Sequence, residues 1–323
     1  MIQEIFNKID MRIPLTAEDA IELLSVSNLS AEYYMLLQKA SEISKKDFGD
    51  KGYIFAQIGL DIAPCSGNCT FCSLAQCNTT FTERSEKSLE EILDEVSRID
   101  FSRVTAVFLM TTADFDAEKF LNIGAEVKKV IPPEIALVAN TGDFDLDYAH
   151  EMKAVGFTGV YHIVRLREGI DTALSPEMRI QSLDAAAAAG LRIYYCLEPI
   201  GPEHTYEELV VEMLRAREYH VDVMAAMRRV SVLRTKFECH DMIDDFELAK
   251  IVAVTRLVTM PKISMNVHEP NVTAMLAGVN QLYAEIGANP RDSSTQTENS
   301  RGFGVDQVSD LLVCAGYKAC IEK

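Results

Sequence analysis

The stretch Tyr53-Ile54-Phe55-Ala56-Gln57-Ile58-Gly59-Leu60 is followed, after Asp61-Ile62, by Ala63-Pro64-Cys65-Ser66-Gly67-Asn68-Cys69-Thr70-Phe71-Cys72. The first part is an apolar run of strand length, rich in β-branched and aromatic residues. The second is a polar loop that ends in three closely spaced cysteines. A strand emptying into a chemically loaded loop is the working unit of a parallel α/β barrel, where chemistry gathers at the C-terminal ends of the strands.

The pattern repeats outward from this point. Further apolar runs occur at Val104–Met110, Ile135–Ala139, Thr158–Val164, Arg192–Leu197, Val221–Met227, Ile263–Val267 and Gln281–Ile286. Amphipathic segments fall between or after them: Ser88–Ile99, Ala117–Val130, Leu146–Ala154, Pro176–Ala189, Thr205–Glu218, Asp245–Val258, Val272–Ala277 and Val305–Ala315. Ser88 and Glu91 have capping-box spacing. Gly156, Gly190, Gly278 and Gly316 stand where helices end. Strands alternating with helices in this way predict a TIM-like (β/α)8 barrel of the α/β class with an N-terminal helical extension. The expected organisation is one domain over 1–323: N-terminal helices lying across the barrel over 1–50, the barrel over 51–290, and a C-terminal cap over 291–323. Gly287–Asp292 is expected to close the barrel top, and the segment through Gly304 to act as a lid or packed cap.

Composition narrows the function. Lys and Arg total 31 against 49 Asp and Glu, a formal charge of −18, so phosphate-rich nucleic acid and anionic lipid are disfavoured as partners. No apolar run approaches the ~18 residues of a spanning helix, and the first residues lack the apolar core of a signal peptide. These features predict a cytoplasmic protein. Eight cysteines in such a chain point to metal or redox chemistry and away from a disulfide framework.

Cys65, Cys69 and Cys72 form a C-x3-C-x2-C set. Thiolates are soft ligands suited to iron–sulfur clusters and zinc. Three are one short of a closed structural site, which leaves one iron of a [4Fe–4S] cluster open to another ligand. Zinc is the alternative, with Cys77 as fourth ligand, and it would make the chain a non-catalytic binding or assembly barrel.

These cysteines, with Phe71 before the third, resemble the signature of radical S-adenosylmethionine (SAM) enzymes. The likeness is greatest to the biotin-synthase-like branch, which includes hydrogenase-maturation and methylornithine synthases, and it extends over nearly the whole chain. It implies a [4Fe–4S] cluster on Cys65, Cys69 and Cys72 and SAM on the open iron. It further implies reductive cleavage of SAM to a 5′-deoxyadenosyl radical, and hydrogen abstraction from a substrate carbon. The resemblance places Phe71 near the adenine. It places Thr111 and Thr112 near the SAM amino group, and Glu168, followed by Asp171-Thr172, near the ribose and amino groups. It assigns Arg165, Arg167 or Arg179 to the SAM carboxylate, and Ile200 and Gly201 beside the adenine. Glu198 projects from the barrel rim. Substrate-side candidates at the strand ends are Asn140, His162, Arg228, Arg229, Asn266, His268, Glu269 and Glu285. The implied partners are a small-molecule or carrier-linked substrate and a reductant such as flavodoxin or ferredoxin.

The branch's sulfur-donating second cluster would need cysteines or an arginine near Leu109, Val138, Tyr195 and Ser264, and none is there. Cys196, one place away, is expected on the opposite face. Cys77, Cys196, Cys239, Cys314 and Cys320 remain as ligands for an auxiliary iron–sulfur cluster or as buried apolar residues. With such a cluster, sulfur insertion in biotin- or lipoyl-like cofactor biosynthesis follows. Without it, the alternatives are carbon-skeleton rearrangement, C–C cleavage or metallocofactor assembly. The implied reaction class is transferase or lyase.

Overall fold

The computed structural model describes residues 2–80, 82–286 and 302–319. Eight parallel strands close into a barrel: β1 (Lys51–Gly59), β2 (Val104–Met110), β3 (Ala136–Asn140), β4 (Gly159–Tyr161), β5 (Arg192–Ile200), β6 (Val223–Arg228), β7 (Ser264–His268) and β8 (Gln281–Glu285). Each pairs with its neighbour in chain order. β8 then returns to β1 with Tyr53 opposite Gln281 and Gln57 opposite Glu285, so the sheet leaves no open edge between them. The helices are α1 (Ile2–Asp10), α2 (Ala17–Leu24), α3 (Ala31–Phe48), α4 (Leu89–Ser97), α5 (Ala117–Val130), α6 (Leu146–Val155), α7 (Pro176–Ala189), α8 (Tyr206–Glu218), α9 (Asp245–Thr259), α10 (Val272–Met275) and α11 (Val305–Cys314).

The helix termini follow from local chemistry. Ser88 and Thr205 close capping boxes with Glu91 and Glu208. Pro176 occupies the first turn of α7 behind the Ser175 cap, and Gly156 and Gly190 end α6 and α7 in the left-handed conformation. The 1–50 segment folds as helices, as expected, but α2 and α3 pack on α8 and α9, on the barrel's flank. This explains why α9 is buried from Leu248 to Thr259. The buried guanidinium of Arg256 on α9 holds that contact through Ser44 Oγ at 2.8 Å and the Asp47 carboxylate.

Inside the barrel, Phe55, Phe108, Tyr194 and Tyr283 meet edge-on or offset, with centroids 5.2–5.9 Å apart. They form an aromatic floor inside the barrel. Among the described residues, no helix is long and apolar enough to cross a membrane.

Candidate functional site

The loop after β1 is held from both sides. Within it, Cys65 N–H donates to Leu74 O (2.8 Å), Cys72 N–H to Cys69 O (3.0 Å), and Asn78 Nδ2 to the carbonyls of Cys69 and Cys72 (3.3 and 2.9 Å). From outside, Thr70 N–H donates to Asp171 O and Ala173 N–H to Gly67 O, both at 2.8 Å, which fastens the loop to the segment after β4. Asn68 adopts a positive φ of 44°, a conformation tolerated by Asn. Cys65, Cys69 and Cys72 are half-buried and form no disulfide. All three line one cavity of about 1290 Å³, its open mouth included, at the C-terminal end of the barrel.

Burial pushes the Cys65 thiol up, and the Cys69 thiol up to about 12, with Arg165 opposing the rise at Cys69. Bare thiolates are therefore disfavoured here, and iron would supply the positive charge that makes them stable. Ala113 N–H points at Cys65 Sγ from 3.5 Å, an outer hydrogen bond of the kind that tunes cluster ligands. A lone zinc needs its sulfurs about 2.3 Å from the metal and hence packed together. Among the described residues, no three His, Cys, Asp or Glu side chains are arranged to hold a single ion. A four-iron cube gives each of three thiolates its own iron and needs no fourth protein ligand. The donor set fits the cluster.

Other expected residues meet the cysteines in this cavity: Thr111, Thr112, Asn140, Arg165, Arg179, Glu198 and His268, with Glu269 and Glu285. The Thr112 backbone N–H and hydroxyl both donate to buried Asp61 (2.8 and 2.6 Å), while Thr111 Oγ1 lies 3.3 Å from Thr141 Oγ1. A chain of polar contacts crosses the wall. Tyr161 donates to Glu198 Oε2 at 2.9 Å, Glu198 faces Arg165 at 3.4 Å, and Arg165 faces Glu168 at 3.7 Å. Arg179 lies 3.8 Å from Glu168 and 3.0 Å from Asp143 Oδ1, and donates to Ile163 O at 2.9 Å. Glu168 is buried and accepts from the Arg165 backbone N–H and the Thr172 hydroxyl, so it ties the loop after β4 instead of lining the cavity.

The remaining residues lie elsewhere. Phe71 opens on an adjoining cavity that shares Cys69, Cys72, Arg165 and Glu198 with the first and also holds Arg228 and Arg229. Arg228 pairs with Asp245 at 2.8 Å. Arg229 pairs with both Glu203 oxygens and lies over the Phe237 ring. Arg167 faces away from the cysteines, toward Glu208 and the Glu203 carbonyl. Ile200 and Gly201 line a separate depression with Tyr206 and Glu247. His162 is fully buried with Nε2 3.3 Å from Asp143, and Asn266 donates to Gln281 O at 2.8 Å. Of the segment read as a cap, Gly302 and Phe303 line the main cavity; Gly287–Asp292 and Cys320 lie outside the described residues.

Two placements correct the strand parity. Tyr195 donates to Glu212 on α8 at 2.7 Å, facing outward, and Cys196 faces the cavity. Leu109 belongs to the outer core and Phe108 to the inner one. Tyr161, Tyr283 and Gln57 also line the cavity without having been singled out. Their only sequence signal was a polar group on an apolar strand.

The fold and the cysteine cavity together define a (β/α)8 barrel built around a thiol-lined mouth. Solved structures share that fold. Methylornithine synthase matches with a TM-score of 0.84 at 16% identity, covering 98% of this chain and 97% of that one. The FeFe-hydrogenase maturase HydG from Carboxydothermus hydrogenoformans matches with a TM-score of 0.79 at 18% identity, covering 98% and 78%. No protein-family model and no curated protein sequence matches the chain. The fold agrees with the biotin-synthase-like resemblance drawn from the sequence.

Proposed function

We propose that the chain is a radical SAM enzyme in which Cys65, Cys69 and Cys72 hold a [4Fe–4S] cluster and SAM binds beside it. The observation that carries this reading is the convergence of the three thiols on one barrel cavity with Arg165, Arg179 and Glu198 in its wall. Cluster and SAM together supply a carbon-centred radical able to take hydrogen from an unactivated substrate carbon. The chain's own residues bind, orient and seal. Arg179, fixed by Asp143, offers a guanidinium for a carboxylate. Thr111 and the loop carbonyls offer acceptors for an ammonium group. Arg165 sits between the Cys69 side and Glu198 and balances charge there. The close packing of the aromatic floor keeps water from below the cavity.

Two features favour carbon-centred chemistry of the rearrangement, cleavage or metallocofactor-assembly kind over sulfur insertion. Apart from the motif cysteines, Cys196 alone among the described cysteines lines the cavity, and Cys77, Cys239 and Cys314 are exposed. A one-electron reductant of the flavodoxin or ferredoxin class and a small-molecule or carrier-linked substrate complete the proposal. Anaerobically prepared protein with iron and sulfide, given SAM and dithionite, is expected to release 5′-deoxyadenosine and methionine in equal amounts. Intact SAM after prolonged reduction would contradict the reading.

A further inference from the structure

Above the aromatic floor, the cavity wall carries a thiol and a phenol, Cys196 and Tyr161, to which the proposed function gives no role. Cys196 on β5 is buried, and its side chain lines the cavity shared with Cys65, Cys69 and Cys72. Tyr161 on β4 stands opposite Tyr194, two residues before Cys196 on β5, so Tyr161 and Cys196 are neighbours on adjacent strands of the same cavity wall; Tyr161 in turn donates to Glu198 at 2.9 Å. Tyr283 on β8 lines the same cavity. Burial holds the Cys196 thiol and both phenols well above their ordinary ranges. With no metal bound to it, Cys196 therefore stays S–H, with a hydrogen atom to give. An S–H bond is weaker than the C–H bond of an unactivated carbon and close in strength to a phenolic O–H.

We propose that Cys196 donates a hydrogen atom to a carbon-centred radical in this cavity and that Tyr161 restores it; this rests on the radical SAM reading above. The Cys196 S–H bond breaks homolytically, the carbon gains the C–H bond, and the unpaired electron is left on sulfur. Tyr161 then gives its phenolic hydrogen atom to that sulfur, re-forming S–H and leaving the unpaired electron on a phenoxyl group beside Glu198. One electron from the flavodoxin- or ferredoxin-class reductant and one proton from solvent return Tyr161 to the phenol. The hydrogen given to the carbon is then not the one first removed. The reactions favoured are those, such as epimerisation or rearrangement, whose product acquires a solvent-derived hydrogen.

The test needs no identified substrate. Protein loaded with iron and sulfide is exchanged into D2O, where Cys196 becomes S–D, and is reduced with dithionite in the presence of SAM alone. The fraction of released 5′-deoxyadenosine carrying deuterium at C5′ is read by mass spectrometry. Being a ratio, it is insensitive to the rate of SAM cleavage. Most of the 5′-deoxyadenosine from wild type is expected to be labelled, and the label to fall to natural abundance in Cys196→Ala. Cys196→Ser, which keeps size and polarity but replaces S–H with a stronger O–H, is expected to lose it too. It provides the reading if the alanine variant fails to fold, as judged by iron content and melting. Unlabelled product from wild type, or equal labelling in wild type and Cys196→Ser, overturns the donor role while leaving SAM cleavage intact. Absence of 5′-deoxyadenosine from wild type brings down both this role and the function on which it rests.

Discussion

His162 is enclosed against Phe144 with its ring edge toward Asp143. Burial first, and the Arg179 cation second, hold its pKa at about 3, far below the ordinary 6.5. The unfolded chain takes up a proton on this residue near pH 6.5, and the folded chain does not until about pH 3. Between those values the unfolded state binds more protons, so stability falls as pH falls. At about 1.36 kcal/mol per pH unit, this residue removes about 2 kcal/mol between pH 6.5 and 5. Urea midpoints at pH 7 and pH 5 are expected to differ more in wild type than in His162→Gln; parallel losses would contradict the assignment. At this scale the sequence showed chemistry more readily than direction. The three cysteines, Thr111, Arg165, Arg179 and Glu198 were legible as residue types at strand ends, and the fold brings them to one cavity. Cys196 and Tyr195 were assigned to opposite faces from those observed. β5 is buried on both sides, so its apolar run carries no alternation from which to read parity. His162 looked like a strand-end polar group because its partner, Asp143, belongs to another loop.

Between elements, the cavity depends on loops fitted closely to one another. Gly142, after β3, sits so close to the loop after β2 that a Cβ there would lie 2.1 Å from Ala113 O, a backbone atom that cannot swing aside. That same segment supplies the Ala113 N–H facing Cys65. Gly142→Ala is expected to cost about 2 kcal/mol through overpacking, seen as a lower urea midpoint; a wild-type midpoint would show that the loops can part without penalty. Elements themselves were well legible. The spans Ala117–Val130 and Pro176–Ala189 are helical over their expected lengths, because caps and apolar periodicity agree locally. The run Thr158–Val164 was only partly so. β4 stops at Tyr161, beyond which backbone groups find side-chain partners: Val164 N–H donates to Tyr195 Oη and Ile163 O accepts from Arg179. Such long-range partners leave no local trace.

For the whole molecule, the alternation of strands and helices predicted the closed barrel and its helical extension, and β8 pairing with β1 completes it. The docking of that extension on α8 and α9 depends on which helix faces stay apolar after the barrel has closed, a property of the assembled fold. Everything proposed for the mouth of the barrel depends on three thiols binding an iron cube. The direct measurement is iron and acid-labile sulfide per chain in anaerobically prepared wild type, beside the variant with Cys65, Cys69 and Cys72 all changed to alanine. The account predicts about four of each in wild type, as one cubane requires, and none in the variant. Zinc in place of iron, or iron that survives removal of the three cysteines, would contradict it.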